Sequence, residues 1–213
     1  MLSRRFVGSA LEKSYDFIKK VYDRNKPRAA HALYYDTEWR YDSFGKTLDY
    51  VADPVKRHKL HIQAQLNLAQ WAKESTSSPN LVEVVNKDWG SVTHEATKKY
   101  GQSYAVLNMA NSSFPGGGVF EGLNAQEENM WHRSTCVSSL LDNHVIFDEN
   151  AESFLYDKMT RQMLEGKLEM SDEELAILEQ RGAKTDSVAY KTFFDRTPRV
   201  CFRGPEISKR SSD

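Results

Sequence analysis

Cysteine is nearly missing from this chain. Cys136 and Cys201 are the two it has, far apart in 213 residues. That excludes a disulfide framework and a cysteine-rich zinc site. A reducing, cytoplasmic setting is expected, with export by a signal other than the Sec type left open. Long apolar runs are missing too, so no membrane partner is expected. The N-terminus Met1-Leu2-Ser3-Arg4-Arg5 is basic but has no apolar stretch behind it, unlike a Sec signal. Charge of one sign is not in excess. With 29 basic and 30 acidic residues the formal net charge is −1, so no global field favours nucleic acid. The histidines His94, His132 and His144 lack metal-ligand spacing with each other or with Cys136. His58 and His61 share a helix face with no further ligand near them in sequence, so neither a metal nor another cofactor is expected.

What is present suits a soluble globular protein. Hydrophobic residues make up 39% and charged residues 28%, enough for one core in one domain or in a domain with an accessory segment. Leu11, Tyr15, Ile18 and Tyr22 recur at helical steps and predict a helix over Ser9–Tyr22, stopped by Pro27. The aromatic stretch from Ala29 to Tyr50 has no clear period and reads as an ordered loop with a short strand or turn. Its rings could stack on a base, but packing the helical segment onto the core is the preferred reading. Asp53-Pro54 caps and starts a helix running to about Ser75. Ser75–Asn80 reads as a loop. Leu81–Val85 and Tyr104–Asn108 read as strands, with a helix over Ser91–Tyr100 between them. Further on, the pattern predicts a strand at Val145–Phe147 and helices over Ala151–Leu164 and from Ser171 to about Gly182. It closes with a strand at Arg199–Arg203 and a frayed polar tail. The alternation predicts an α/β fold of three layers.

The densest chemistry lies between Val106 and Glu128. An apolar run leads into Asn108 and Asn111, then Pro115 and three consecutive glycines, Gly116, Gly117 and Gly118. Val119 and Phe120 open a spacer that ends at Gln126-Glu127-Glu128. Glycines after a strand let backbone lie close to a ligand, and bare N–H groups suit phosphate oxygens. Two adjacent carboxylates nearby suit acid–base chemistry. Plainer readings stand beside these. The glycines can be a turn, although Pro115 stiffens its entry. The two acids can complement a helix dipole, with Asn124 as N-cap and Glu127 at the third helical position. The asparagines can serve turn geometry alone. Trp131 reads as core. His132 and Arg133 read equally as phosphate contacts or as a solvated helix face.

This segment resembles the catalytic signature of microbial-type poly(ADP-ribose) glycohydrolases. In that family Asn-x-Ala, Pro-Gly-Gly-Gly, Ala-Gln-Glu-Glu and an Arg-Ser pair follow one another. Here they are Asn108-Met109-Ala110, Pro115-Gly116-Gly117-Gly118, Ala125-Gln126-Glu127-Glu128 and Arg133-Ser134. The resemblance implies a macrodomain-like three-layer α/β/α fold with a mixed sheet in residues 81–213, preceded by a helical extension over 1–80. It implies an ADP-ribosyl glycohydrolase in which Glu128 is the acid/base and Glu127 holds ribose hydroxyls. Asn108, Asn111, Gly116, Gly117, Gly118, Val119, Phe120 and Gln126 would contact the substrate. ADP-ribose, free, polymeric or attached to protein, is the implied partner.

The resemblance departs after Gly122. The family's second glycine-containing loop has no counterpart in a strand–Gly-x-Gly–helix setting, because only Gly166, Gly182 and Gly204 remain. A macrodomain shortened at its C-terminus, or completed by a second chain, is therefore expected. Two other readings stand beside the enzyme: an ADP-ribose-binding module without turnover, and an interaction fragment whose helices form the useful surface.

Overall fold

The computed structural model describes residues 14–25, 38–75, 82–165 and 171–180. Helix α1 (Tyr15–Asn25) is capped by Ser14, whose Oγ accepts from Phe17 N–H at 3.2 Å. It starts later than the periodicity predicts and runs on to Asn25, while residues 9–13 lie outside the described residues. The stretch expected to be a loop is instead helical where it is described: α2 spans Glu38–Ala52. Tyr41, Phe44, Leu48 and Val51 are buried along one face at three- and four-residue steps, a helical period that the surrounding aromatics obscure. Trp39 is buried as well, so these rings pack the core. Helices α1 and α2 are joined by a reciprocal pair. Tyr22 Oη donates to Tyr41 O at 3.1 Å, Tyr41 Oη donates to Tyr22 O at 2.8 Å, and the rings stack at 4.2 Å.

Helix α3 (Pro54–Glu74) begins as expected, with Asp53 accepting from Val55 and Lys56 N–H. It packs on α4 (Trp89–Tyr100), where Trp71 meets His94 edge to face. The chain leaves α4 through Gly101, at φ +63 with its N–H bonded to Thr97 O. A β-carbon there would lie 2.4 Å from Ala72 Cα, so backbone meets backbone where the two helices touch.

The two segments expected to be strands, Leu81–Val85 and Tyr104–Asn108, flank α4 without regular secondary structure where they are described, from residue 82 on. Val82 and Val84 are 97% and 99% exposed, and Leu107 and Met109 are exposed as well. Their apolar character suits a buried strand, but a strand exists only where a neighbour completes its ladder. Among the described residues none pairs with them.

A short 3-10 helix (Val119–Glu121) comes after the glycines. Then come α5 (Gln126–Arg133) and a second 3-10 helix (Thr135–Leu141). The apolar spacing of Met130, Val137, Leu140 and Leu141 predicts one continuous helix from an Asn124 cap through this span. Ser134 breaks it by adopting an extended backbone, and its Oγ accepts from Cys136 N–H to cap the second 3-10 helix. Strand β1 (Val145–Asp148) pairs antiparallel with β2 (Ser153–Tyr156), register Val145 to Tyr156. The predicted helix over 151–164 is thus corrected: its first part is β2, and only Lys158–Leu164 forms α6. Phe154 faces the core from β2, and that burial decides the local structure over helix propensity. Helix α7 (Asp172–Gln180) starts at a reciprocal cap between Ser171 and Glu174.

The described residues therefore form an α/β fold with more helix than strand, and their sheet is a two-stranded antiparallel hairpin. No mixed sheet and no three-layer stack is seen among them. The expected strand at Arg199–Arg203 and the glycines Gly166, Gly182 and Gly204 lie outside them. Ile18, Phe44, Leu48 and Val51 share one core with Val119, Trp131, Leu140 and Phe154. Residues on both sides of position 80 thus build the platform under the glycine loop.

Gly101→Ala should lower stability by roughly 1–3 kcal/mol, the cost of a left-handed non-glycine backbone. Thermal melts followed by circular dichroism measure it. An unchanged Tm would mean that the α3–α4 contact yields easily.

Candidate active site

Six of the eight residues of α5 are buried, including Glu127 and Glu128 at 3% and 7% exposure. The N-cap position is held by Ala125, which contributes no side-chain cap; Asn124 is not the cap the sequence suggests. Gln126, Glu127 and Glu128 thus occupy the first turn, where the helix dipole favours carboxylates. Their side chains reach away from the helix, each to a different part of the preceding loop.

Gln126 takes the earliest part. Its Oε1 accepts from Met109 N–H at 2.9 Å and its Nε2 donates to Leu107 O at 2.8 Å. One amide side chain thereby stands in for a strand neighbour. Glu127 takes the middle. Its Oε2 accepts from Asn111 N–H at 2.7 Å, and its Oε1 from Gly116 N–H at 3.0 Å and Asn108 Nδ2 at 3.3 Å. Glu128 takes the end, with Oε1 accepting from Gly118 N–H at 2.8 Å. The glycine amides are engaged inside the protein: Gly117 N–H donates to Phe114 O at 2.9 Å.

Gly117 sits at φ +56, and a β-carbon on it would lie 2.4 Å from Glu128 Oε1. The loop can cover the carboxylate only because this residue has no side chain. Gly116 lies against the Trp131 ring, which forms the floor beneath the loop.

Burial pushes the Glu127 carboxyl above its usual range. The donors from Asn111, Gly116 and Asn108 pull it back, and the neighbouring Glu128 charge pushes it up again. Both Glu127 oxygens already accept from N–H groups. Glu128 Oε2 differs: it is buried without a hydrogen-bond partner, and so is Asn108 Oδ1.

Beside the loop lies a cavity of about 220 Å³. Asn111, Gly117, Gly118 and Phe120 form its loop side, while Val21 and Asn25 from α1 and Phe154 from β2 close the opposite side. Val119 is buried in the core next to it. The expected site residues are thus brought together, with Gln126 and Val119 turned to structural contacts. The contributions of α1, Glu121 and the hairpin were not legible in the sequence. The motif names none of them, and α1 is far away in the chain.

Arg133 is neither a phosphate contact nor part of a solvated face. It is buried and grips Asp88 with both terminal nitrogens at 2.8 Å, while Asn129 Oδ1 accepts from it and from Trp89 Nε1. His132 is buried as well, its Nδ1 3.2 Å from Ser43 Oγ and its ring edge-on to Trp39. The Arg133 guanidinium holds the Asp88 carboxyl down at about 2, with Ser91 N–H adding to the effect. A depressed folded-state pKa stabilises above the unfolded value, near 4, and that stability is lost as pH falls through about 2. Urea midpoints measured from pH 5 to pH 2 should fall in this window. In Asp88→Asn the Asp88 share of the fall should vanish, while the whole curve drops by about 2 kcal/mol because a buried guanidinium loses its carboxylate. Equal pH slopes in the two proteins would rule out this link.

A family model for the microbial-type PARG catalytic domain matches residues 28–164. No curated protein sequence and no solved structure matches the chain. The matched span contains the asparagine turn, the glycine loop and the paired carboxylates and covers more than half of the chain. The protein belongs to the microbial-type PARG catalytic-domain family, the poly(ADP-ribose) glycohydrolases, which are hydrolases of ADP-ribose linkages.

Proposed function

We propose that this protein hydrolyses the glycosidic bond between ADP-ribose and a protein or poly(ADP-ribose) chain, with Glu128 as acid/base. The observation that carries the reading is the asymmetry of the two acids. Glu127 has both oxygens engaged by loop donors, whereas Glu128 has one oxygen fixed by Gly118 and the other unpartnered. A fixed carboxyl with one open oxygen can give a proton to a leaving atom and then take one from water. In the first half-step the bond from the anomeric carbon to the leaving atom breaks, its electron pair stays on that atom, and Glu128 supplies the proton. In the second, water bonds to the anomeric carbon and Glu128 recovers the proton. Glu127, anchored by Asn108 and Asn111, fixes the turn that meets the ribose. Asn108 Oδ1 offers an acceptor to a sugar hydroxyl. Gly117 and Gly118 let the sugar come close, and Phe120 walls the cavity beside it.

The amides of Gly116 and Gly118 are spent on Glu127 and Glu128, that of Gly117 on Phe114 O, and Glu128 Oε2 is buried. The reading therefore requires the substrate to lift Gly117–Gly118 from Glu128, freeing amides for an anion as the acid is uncovered. The same closure favours a second reading, an ADP-ribose-binding module without turnover. The order extended segment, helix, extended segment across 82–111 also supports a macrodomain-like three-layer fold. Its missing strands would come from a second chain or from residues outside the described ones.

Glu128→Gln should lower ADP-ribose release about 100-fold or more while leaving ADP-ribose binding by calorimetry intact. Turnover at the parent rate would remove Glu128 from the mechanism. Binding without turnover in the parent protein would favour the binding module. Gly117→Ala should cut turnover as well, since the added methyl displaces Glu128; full activity would show that the loop does not seat that carboxylate.

A further inference from the structure

The segment that leads into the glycine loop is built like half of a strand pair. In an extended chain, side chains alternate between two faces and backbone groups alternate between two edges. Both alternations are present here. Ala105, Leu107 and Met109 are exposed, whereas Tyr104, Val106 and Asn108 are half-buried, with Val106 packed on the core. Leu107 O, Met109 N–H and Asn111 N–H point to one edge, where Gln126 and Glu127 bond them. The backbone groups of Val106, Asn108 and Ala110 belong to the other edge and make no hydrogen bond among the described residues. The α5 side chains thus seal one edge and leave the other open.

The open edge is also apolar. Leu107 and Met109 stand along it at 71% and 74% exposure, two long side chains on the same face. An uncovered strand edge of this kind is a template for another strand. Segment 82–86 differs, being exposed at every residue, so packing does not hold it as a template. The hairpin differs too, because Tyr156 N–H of β2 already donates to Ser113 O at 3.0 Å. The chain contains a matching piece. Arg199–Arg203 reads as a strand and lies outside the described residues, in the stretch 181–213 that follows α7. From Gln180 to Arg199 an extended chain spans up to roughly 60 Å, at about 3.3 Å per residue. A chain of this size folds to a radius of gyration of about 17 Å, so the segment can reach the open edge. Val200 and Phe202 flank Cys201 as Leu107 and Met109 flank Asn108.

We propose that Arg199–Arg203 docks on the open edge of Val106–Ala110, antiparallel and with Cys201 opposite Asn108. Antiparallel pairing is the stronger per residue. In this register the backbone groups of Arg199, Cys201 and Arg203 meet those of Ala110, Asn108 and Val106, and each facing pair exchanges two hydrogen bonds. Val200 covers Met109 and Phe202 covers Leu107, at the close spacing of pairs that share no hydrogen bond. The docked strand holds Asn108 from the side that α5 leaves free, and so braces the turn that carries the candidate site. This pairing depends on backbone and packing alone and stands apart from the glycohydrolase reading.

Met109→Cys combined with Val200→Cys tests the register, in the full chain carrying Cys136→Ser and Cys201→Ser. A disulfide within one chain should form on mild oxidation, because α-carbons opposed in such a pair lie about 4.5 Å apart, inside the range a disulfide spans. Mass spectrometry of non-reduced digests reads it. Met109→Cys with Phe202→Cys, the pair that parallel docking would bring together, should link about tenfold less. Hydrogen exchange reads the edge without any cysteine. The amides of Asn108 and Ala110 should be protected in the parent chain, and Cys201→Pro, which removes a ladder donor, should speed their exchange about tenfold or more. Exchange in the parent chain at the rate of an unpaired backbone overturns the docking, as does equal or absent linkage in the two cysteine pairs. A disulfide joining two chains overturns it in favour of a second copy on this edge. None of these readouts uses turnover, so each outcome leaves the glycohydrolase reading to its own test.

Discussion

Three consecutive side chains at the start of one helix hold the loop before it in place. Gln126, Glu127 and Glu128 satisfy backbone groups of Leu107, Met109, Asn111, Gly116 and Gly118. Those groups belong to a segment with no strand neighbour among the described residues, and the three side chains pair them in its place. Burying two carboxylates side by side is costly without donors. Here the loop amides and the positive end of the helix offset that cost. Acids and loop therefore stabilise each other, and neither holds its position alone.

The helix that carries these side chains is fixed from behind. Arg133 and Asn129 lock its far half to the start of α4 through Asp88 and Trp89. Trp131 supports the glycines from below, and Thr47 of α2 donates to the His132 carbonyl. Eight residues thus face α4, α2 and the glycine loop, which explains why so few of them are exposed. Rigid support of this kind is what a carboxylate needs if its open oxygen is to meet a substrate in one orientation.

The local motif was readable because its chemistry is contiguous. Pro115 through Gly118 and Gln126 through Glu128 stand in one stretch, and their residue types permit few arrangements. Capped helix starts such as Asp53-Pro54 were readable for the same reason. What escaped was whatever depends on distant partners. Leu81–Val85 and Tyr104–Asn108 have strand composition, but composition cannot show whether a ladder neighbour exists. The helix at Glu38–Ala52 was hidden by aromatics that occupy more than one face. Asp88 and Arg133 are 45 residues apart, and nothing in either one's surroundings names the other. Asn25 and Glu152 reach the cavity only because α1 and the hairpin fold to the same side of the loop.

Helix α1 ends at Asn25, just ahead of the span shared with the family, which opens at residue 28. Yet it supplies Ile18 to the core and Val21 and Asn25 to the cavity. A fragment trimmed to the matched span would keep every motif residue and still have the cavity beside the loop open at the back. The matched span holds the motif, whereas the wall that faces it is built by chain that lies ahead of that span.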